Sequence, residues 1–436
     1  MLKPFYRNSC FFLLASSIFL GACGNENSSS SRDEGKSLDE TKQESPKPAS
    51  LNFFYNGYSK QLVEELERKI ETKFPHLSLN MILHGTGSTI NDVLGAGTTL
   101  DIVAFSAGGL FTVIDLELAT DLTELAKKHQ FDWNRLSPSV LETIRSYYGG
   151  NRLMIMPYEL NNNVLWYNKN IFDKFGVSYP TDGMTWDETY ELAKKVTRMD
   201  NGVQYKGFQF SHLNLVYKNQ LALPFTDPKT NKAAFHTNEW KNWLEQMTRF
   251  YKIDGNQIIG PGDGVFIRRQ ELAMYTGPSL LDQLPAAVEK GLEFDLATLP
   301  RFKDGSAVGS QMNAPFYAIP PSSSNKDEAF RVIAYLLSDE IQASNAKKGR
   351  VPVVTSEQVV KEFGAELPIL KGKNVASFFK DTVGKPITVT KYDGIARSQL
   401  SNALDRLSEG QYPDANTALR AADEEANKLI MEQQKK

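Results

Sequence analysis

The chain has 436 residues, with 49 Lys and Arg against 52 Asp and Glu, and a formal net charge of −3 at pH 7. This length is enough for two domains or for one large two-lobed fold. The near balance of charge, without a basic cluster or stripe, argues against nucleic acid as a partner.

The first 22 residues predict a signal peptide. Lys3 and Arg7 supply positive charge, and residues 11–20 form an apolar stretch about half as long as the roughly 20 residues that span a bilayer. The run Leu20-Gly21-Ala22-Cys23 then resembles a bacterial lipobox. The resemblance implies that Cys23 is lipidated and becomes the new N-terminus. An ordinary cleaved signal peptide, with Cys23 in place by chance, is the alternative.

The segment that follows predicts a tether. Residues 24–50 are rich in Ser, Asn, Pro and mixed charges, and they contain too little apolar surface to offset the entropy of ordering. Cys10 would leave with the signal peptide, so Cys23 would be the single cysteine of the mature chain. A disulfide and a cysteine-based metal site are then excluded.

Strands and helices alternate from residue 51 onward. Residues 51–55 predict an apolar strand, and Ser59 is placed to cap a helix that stops at Pro75. Residues 77–83 predict a second strand, and residues 101–105 predict a third that is apolar enough to be buried on both faces. The part of the chain after the predicted tether therefore begins with a strand–helix–strand pattern.

Later elements extend this pattern. Residues 185–188 fit a capping box that opens a helix through Val196, and residues 325–337 predict another helix. The alternation predicts an α/β fold with largely parallel sheets flanked by helices. Because ligands of open α/β sheets lie beyond the carboxyl ends of strands, residues 56–58 and 105–109 are candidate binding loops.

A set of short segments carries a resemblance to a known family. In this order along the chain, the segments are 101–103, 156–159, 164–172, 175–176, 185–188, 272–274 with 277–278, 299–300, 318–319 and 349–352. Each segment is loose alone, but the ordered combination resembles bacterial extracellular solute-binding proteins of the maltodextrin-binding type, the capture subunits of ABC importers. Trp186, at the first turn of a helix, is expected to have a core or hinge-packing role, with stacking on the ligand as the alternative.

The resemblance implies a two-lobed, periplasmic-binding-protein-like fold with a ligand cleft that closes by a hinge. One lobe is expected to comprise residues 51–157 and 297–339, and the other residues 158–296 and 340–436. Crossovers are expected at Pro157-Tyr158 and Leu296-Ala297. The implied protein is a monomer without cofactor, metal or catalytic residues, anchored by lipid at the extracytoplasmic face of the membrane. It would bind a sugar or oligosaccharide and associate with ABC permease subunits.

Carried over one position at a time, the resemblance also gives candidate ligand contacts. They are Asn56, Tyr58, Phe105, Tyr158, Glu159, Asn161, Tyr275, Ser279, Tyr392 and Asp393. Asn161 stands where the family has an acid, for which Glu159 is a candidate substitute, and Ser279 stands where an aromatic residue is usual. These departures leave open a different oligosaccharide, a monosaccharide or an acidic sugar.

Arg350 is a further candidate contact. A guanidinium in the 349–352 loop fits bidentate pairing with a ligand carboxylate. The alternative is a solvated loop arginine.

An enzyme is the main rival class. The histidines show no HExxH spacing, no GxSxG elbow is present, and the SxxK match at residues 323–326 lacks its partner motifs. A glycosidase needs only two carboxylates about 5 to 10 Å apart, which the sequence does not exclude. A binding protein that serves a signalling receptor is also left open.

Overall fold

The computed structural model describes residues 47–57, 59–150, 152–257, 260–303 and 308–435. The predicted signal peptide, Cys23 and most of the predicted tether lie outside these residues, as does Tyr58. Within the described ranges, no helix combines the length and apolar character needed to cross a membrane.

The strands of the described residues form two five-stranded sheets and one two-stranded sheet. Their bounds are β1 (Ala49–Tyr55), β2 (Leu77–Leu83), β3 (Ile102–Phe105), β4 (Met156–Pro157), β5 (Val164–Asn168), β6 (Arg198–Asp200), β7 (Val203–Phe210), β8 (Leu272–Thr276), β9 (Phe294–Thr298), β10 (Val308–Gln311), β11 (Phe316–Ala318) and β12 (Thr382–Gly384).

Helices flank the sheets. They are α1 (Lys60–Lys73), α2 (Ile90–Gly95), α3 (Leu110–Asp115), α4 (Thr123–Lys128), α5 (Pro138–Ser146), α6 (Lys169–Phe175), α7 (Trp186–Val196), α8 (His212–Tyr217), α9 (Asn238–Thr248), α10 (Gly262–Gly264), α11 (Leu284–Val288), α12 (Lys326–Leu336), α13 (Asp339–Lys347), α14 (Glu357–Lys361), α15 (Asp393–Ser408) and α16 (Ala415–Gln434).

The first sheet has the strand order β2-β1-β3-β11-β4. The first three strands are parallel, and β11 is antiparallel to both β3 and β4. The buried Asp101 carboxylate, just before β3, links β1 to the loop that precedes α12, because it accepts hydrogen bonds from Asn52 N at 2.9 Å and Ser323 Oγ at 2.6 Å. Strand β1 begins at Ala49, two residues before the predicted strand start at residue 51.

The second sheet has the order β6-β7-β8-β5-β9, with only β7 and β8 parallel. The prediction of largely parallel sheets is therefore correct in part: β1-β2, β1-β3 and β7-β8 are parallel, whereas the other neighbours in these two sheets are antiparallel. The chain passes directly from β4 to β5 and from β9 towards β11. Parallel neighbours that follow each other in one sheet need a crossover connection, usually a helix. A strand that enters from the other sheet does not need one, so it can pair antiparallel.

Three predicted local features are confirmed. Ser59 caps α1 by accepting a hydrogen bond from Leu62 N, and Thr185 forms a complete capping box with Glu188 at the start of α7. The Trp186 side chain is 1% exposed and lies in the core of the second sheet.

The cores show where the chain changes from one sheet to the other. The paired residues Leu296 and Ala297 lie inside β9, opposite Trp166 and Leu165, so the second crossing follows the end of that strand. The helix α13, expected in the second lobe, packs against the core of the first sheet, as do Val353, Val354 and Val359. Because α13 directly follows α12, which packs on the first-sheet core, its apolar side is buried against the same core.

The helices α15 and α16 belong with the second sheet. Apolar residues of both helices share a core with α7 and α9. The first connection between the sheets runs through residues 158–163. Buried Lys218 donates hydrogen bonds to that segment, to the Asn161 carbonyl at 2.7 Å and to Asn163 Oδ1 at 3.2 Å.

Candidate functional site

A cavity of about 400 Å³, called the main cavity below, is lined by residues from around both sheets and from their connections. On the first-sheet side it is bounded by the loops that follow β1 and β3, namely Asn56-Gly57 and residues 106–108. These loops lie at the carboxyl ends of neighbouring parallel strands, where ligands of α/β sheets bind.

Phe105 lies behind this wall. Its side chain is 2% exposed, packs 5.6 Å from the Phe316 ring between centroids, and does not line the main cavity. The last residue of β3 therefore turns into the core, and the following Ser106 is the first to reach the cavity.

Three predicted contacts on the first connection do line the main cavity: Tyr158, Glu159 and Asn161. The Tyr158 ring stacks on Tyr317 with centroids 4.3 Å apart. Because Tyr317 is buried, its pKa is raised well above the ordinary value. Stacking fixes the orientation of the Tyr158 ring against the cavity.

Arg350 is paired within the protein. Its Nη1 donates to Glu159 Oε2 at 2.8 Å, and both side chains are largely buried. Arg350 lines a separate cavity of about 40 Å³ between the first sheet and α13 rather than the main cavity. The Arg350 guanidinium is therefore paired with a carboxylate of the protein, where the prediction had a carboxylate of the ligand.

The second-sheet side contributes residues that the sequence did not indicate. Tyr217 ends α8, Phe225 follows in the next loop, and Arg397 lies on α15. The Arg397 guanidinium carbon lies 4.3 Å from the Tyr217 ring centroid and 5.7 Å from that of Phe225. Arg397 is one helical turn after the predicted contact Asp393, so helical periodicity from that position was the available signal.

The neighbouring candidates Tyr392 and Asp393 do not line the main cavity. Both are buried at the start of α15, and Asp393 accepts hydrogen bonds from the side chains of Thr226 and Thr390. Burial raises the pKa of the Asp393 carboxyl. These contacts support the helix start.

Tyr147, just after α5, is another residue missed from sequence. It lines the main cavity on the first-sheet side and packs edge-on against Phe316. Burial raises the pKa of its hydroxyl to about 12, and the charge of Arg397 acts against that rise. Tyr147 and Arg397 both line the main cavity.

Tyr275 and Ser279 lie elsewhere. Tyr275 lines a second cavity of about 330 Å³ beside β7, β8 and α15, together with His212 and Tyr251. His212 Nε2 is 2.8 Å from the Tyr251 hydroxyl, and its Nδ1 is bonded to Asp405. Ser279 is exposed and lines neither cavity.

The main cavity combines aromatic rings with neutral polar side chains. The polar set includes Asn56, Ser106, Asn161, Asn214, Gln311 and Asn313. The buried Oδ1 of Asn214 has no hydrogen-bond partner in the protein. Aromatic faces contact the C–H surfaces of sugar rings, and amides and hydroxyls satisfy sugar hydroxyls. Across the described residues, no group of three or more His, Cys, Asp or Glu is arranged to hold a metal ion.

The chain is similar in sequence to known solute-binding proteins. Residues 59–343 match the family described as bacterial extracellular solute-binding protein. The chain is 23% identical over 320 residues to a binding protein of Brucella abortus (strain 2308), a match that covers 70% of this chain and 75% of that protein. It is 25% identical over 344 residues to the sn-glycerol-3-phosphate-binding periplasmic protein UgpB of Brucella melitensis, covering 69% of this chain and 72% of UgpB.

Among solved structures, the chain is similar to the sugar-binding protein MalE from Xanthomonas citri. The TM-score is 0.70 at 17% identity, and the match covers 88% of this chain and 98% of that one. At this identity the similarity concerns the fold. The predicted class, an α/β two-lobed periplasmic-binding-protein-like fold, is confirmed.

Proposed function

Because the chain belongs to the family of bacterial extracellular solute-binding proteins, we propose that it captures a small carbohydrate in the main cavity and delivers it to an ABC importer. Both lobes of the fold contribute to the wall of this cavity. Ligand contacts made by both sides at once favour a closed form over an open one, so binding shifts the equilibrium between them.

The observation that carries the proposal is the composition of the cavity wall. The aromatic residues Tyr217 and the largely buried Tyr158 and Phe225 line the same space as the amide residues Asn56 and Asn161. A purely apolar solute would leave these amides unsatisfied, at a cost of about 1 to 3 kcal/mol for each buried group. A hydroxyl-rich solute satisfies both kinds of surface. The names of MalE, a sugar-binding protein, and UgpB, a glycerol-phosphate-binding protein, support a solute of this kind.

The test is a thermal-shift screen against mono-, di- and oligosaccharides, followed by calorimetry on the strongest member. A ligand that binds only the folded protein raises the melting temperature by mass action. Asn56→Leu, in the main cavity, should reduce the shift, whereas Asn402→Leu, on the exposed side of α15, should leave it intact. A screen in which no carbohydrate moves the melting temperature contradicts the proposal. Release of shorter sugars during incubation would instead indicate a glycosidase.

The proposal includes lipid anchoring at Cys23, which places the protein at the extracytoplasmic face of the cell membrane. Its support is the sequence of the first 23 residues. Cys23→Ala should move the protein from the membrane fraction to the soluble fraction while its circular dichroism and ligand response stay unchanged. A variant that stays membrane-bound rules out this anchor.

A further inference from the structure

The main cavity has an uneven distribution of charge. Among the described residues that line it, Arg397 is the one cation and Glu159 the one acid. Glu159 accepts a hydrogen bond from Arg350, which lies outside this cavity, so the charge of Glu159 is matched by that arginine. The positive charge of Arg397 is therefore not neutralised by Glu159, the acid in the same cavity wall.

Arg397 is held in place without a carboxylate partner. Its guanidinium lies over the Tyr217 ring at 4.3 Å, and its Nε donates to the Asp393 carbonyl oxygen at 3.3 Å. The Asp393 carboxylate, one turn earlier on α15, accepts hydrogen bonds from Thr226 and Thr390, and the charge of Arg397 acts on its pKa without an ion pair being formed. Throughout the part of the chain that the structure describes, no ion pair involves Arg397.

The unused donors of Arg397 are suited to an anion. A guanidinium carries five N–H groups, and within the described ranges of the chain only the Nε–H of Arg397 makes a hydrogen bond. The four on the terminal nitrogens match carboxylate or phosphate oxygens in a bidentate arrangement. Stacking on Tyr217 fixes the plane of the guanidinium, which lowers the entropy lost when such a bond forms.

We propose that Arg397 is an anion subsite, and that the physiological solute is a hydroxyl-rich molecule bearing a carboxylate or a phosphate. This inference rests on the proposed function and narrows its substrate class. The rings of Tyr158 and Phe225 and the surrounding amides take the neutral part of the solute, and Arg397 takes its charged group. The acid-binding role that the sequence suggested for Arg350 is thereby assigned to Arg397, because Arg350 is bound to Glu159.

Matched pairs of probes test the proposal by calorimetry at low and moderate salt. Galactose is compared with galacturonate, and glucose with glucose 6-phosphate, so the two arms separate carboxylate from phosphate. At least one anionic probe should bind tenfold or more tightly than its neutral partner, and Arg397→Gln should abolish that preference. Added salt should narrow the difference.

Arg406→Gln is the matched control. Arg406 lies on the same helix and stacks on Tyr412 at 4.5 Å, but it lines neither cavity. Its substitution should preserve the preference for the anion. Retained binding of a neutral sugar by Arg397→Gln shows that the cavity is intact in that variant.

Three results overturn the inference. The first is equal affinity for neutral and anionic probes in the unmodified protein. The second is an anion preference that survives Arg397→Gln. The third is binding of neutral probes alone, or of neither probe class, by the unmodified protein. The proposed carbohydrate function itself is rejected only if the wider saccharide screen also yields no ligand.

Discussion

The main cavity and the second cavity differ in which parts of the molecule bound them. The main cavity is lined by the loops after β1 and β3, by the first connection and by α8 and α15. The second cavity is lined only by elements around the second sheet, including β7, β8 and α15. Leu213 touches both, so the two spaces are neighbours on either side of α8.

The difference has two physical consequences. A cavity whose walls come from two cores changes its volume when the cores move relative to each other, whereas one built around a single core keeps its volume. The charged residues also differ: the second cavity is lined by Asp263, Asp405 and Glu409, and the main cavity by Arg397 and by Glu159, which is paired with Arg350. The second cavity is therefore the less favourable of the two for an anionic solute.

The largest expected effect tests whether Phe105 is a core residue or a ligand contact. Phe105→Ala should lower the free energy of unfolding by about 3 to 5 kcal/mol, because it empties a buried site packed on Phe316. Ligand affinity of the folded variant should stay unchanged, since Phe105 does not line the main cavity. Ligand-free chemical denaturation and calorimetry check the two parts. A stable variant that has lost affinity would place Phe105 in the binding site.

The next effect concerns the lysine that joins α8 to the first connection. Lys218 is 2% exposed, and burial lowers the pKa of its ammonium group from 10.5 to about 7. Between pH 7 and 10.5 the unfolded chain keeps a proton that the folded chain releases, so stability rises with pH in that window. The contribution from pH 7.5 to 9 is about 2 kcal/mol, at up to ~1.4 kcal/mol per pH unit.

Lys218→Met is the matched change for this prediction. It keeps a long side chain but removes the titration, so the difference in unfolding free energy between protein and variant should vary with pH as Lys218 titrates. Urea denaturation at several pH values measures it. Parallel stability curves for the two proteins would show that Lys218 titrates normally.

A smaller effect tests the main cavity itself. Tyr158→Ala should weaken carbohydrate binding by about 1 to 3 kcal/mol, roughly 5- to 150-fold, because a ring face on the cavity is removed. Tyr158→Phe keeps the stacking on Tyr317 and should retain most of the affinity. Calorimetry on the folded variants measures both. Equal affinity of the Ala variant and the unmodified protein would remove Tyr158 from the site.

The smallest effect is expected in the second cavity. Tyr275→Phe should change affinity by less than about twofold, because loss of a hydroxyl outside the ligand site leaves the solute's hydrogen bonds unchanged. The same calorimetric titration measures it. A tenfold loss would move the ligand to the cavity around His212 and Tyr251.

Much of the fold was predictable from local sequence. The caps at Ser59 and Thr185 and the apolar runs of β1 and β3 are read within a few residues, and each is confirmed. Whether a strand pairs parallel or antiparallel was not predictable in this way. The alternation of strands and helices does not show from which sheet the chain arrives. The antiparallel entry of β11 beside β3 depends on that route.

The lining of the main cavity was predictable at strand ends and on the first connection. Asn56 and Asn161 line the main cavity, as the positions after β1 and β4 suggested. Arg350 shows the limit: its partner Glu159 is 191 residues away, and no local pattern joins them. Arg397 was not predicted: helical periodicity places it one turn after Asp393, but only tertiary packing brings α15 to Tyr217.

Capture of solute between the two lobes is tested most directly by small-angle X-ray scattering with the strongest ligand from the screen. Saturating ligand should reduce the radius of gyration, because contacts from both sides of the main cavity favour the closed form. An unchanged scattering profile at saturation, verified by calorimetry in the same buffer, would contradict capture by closure.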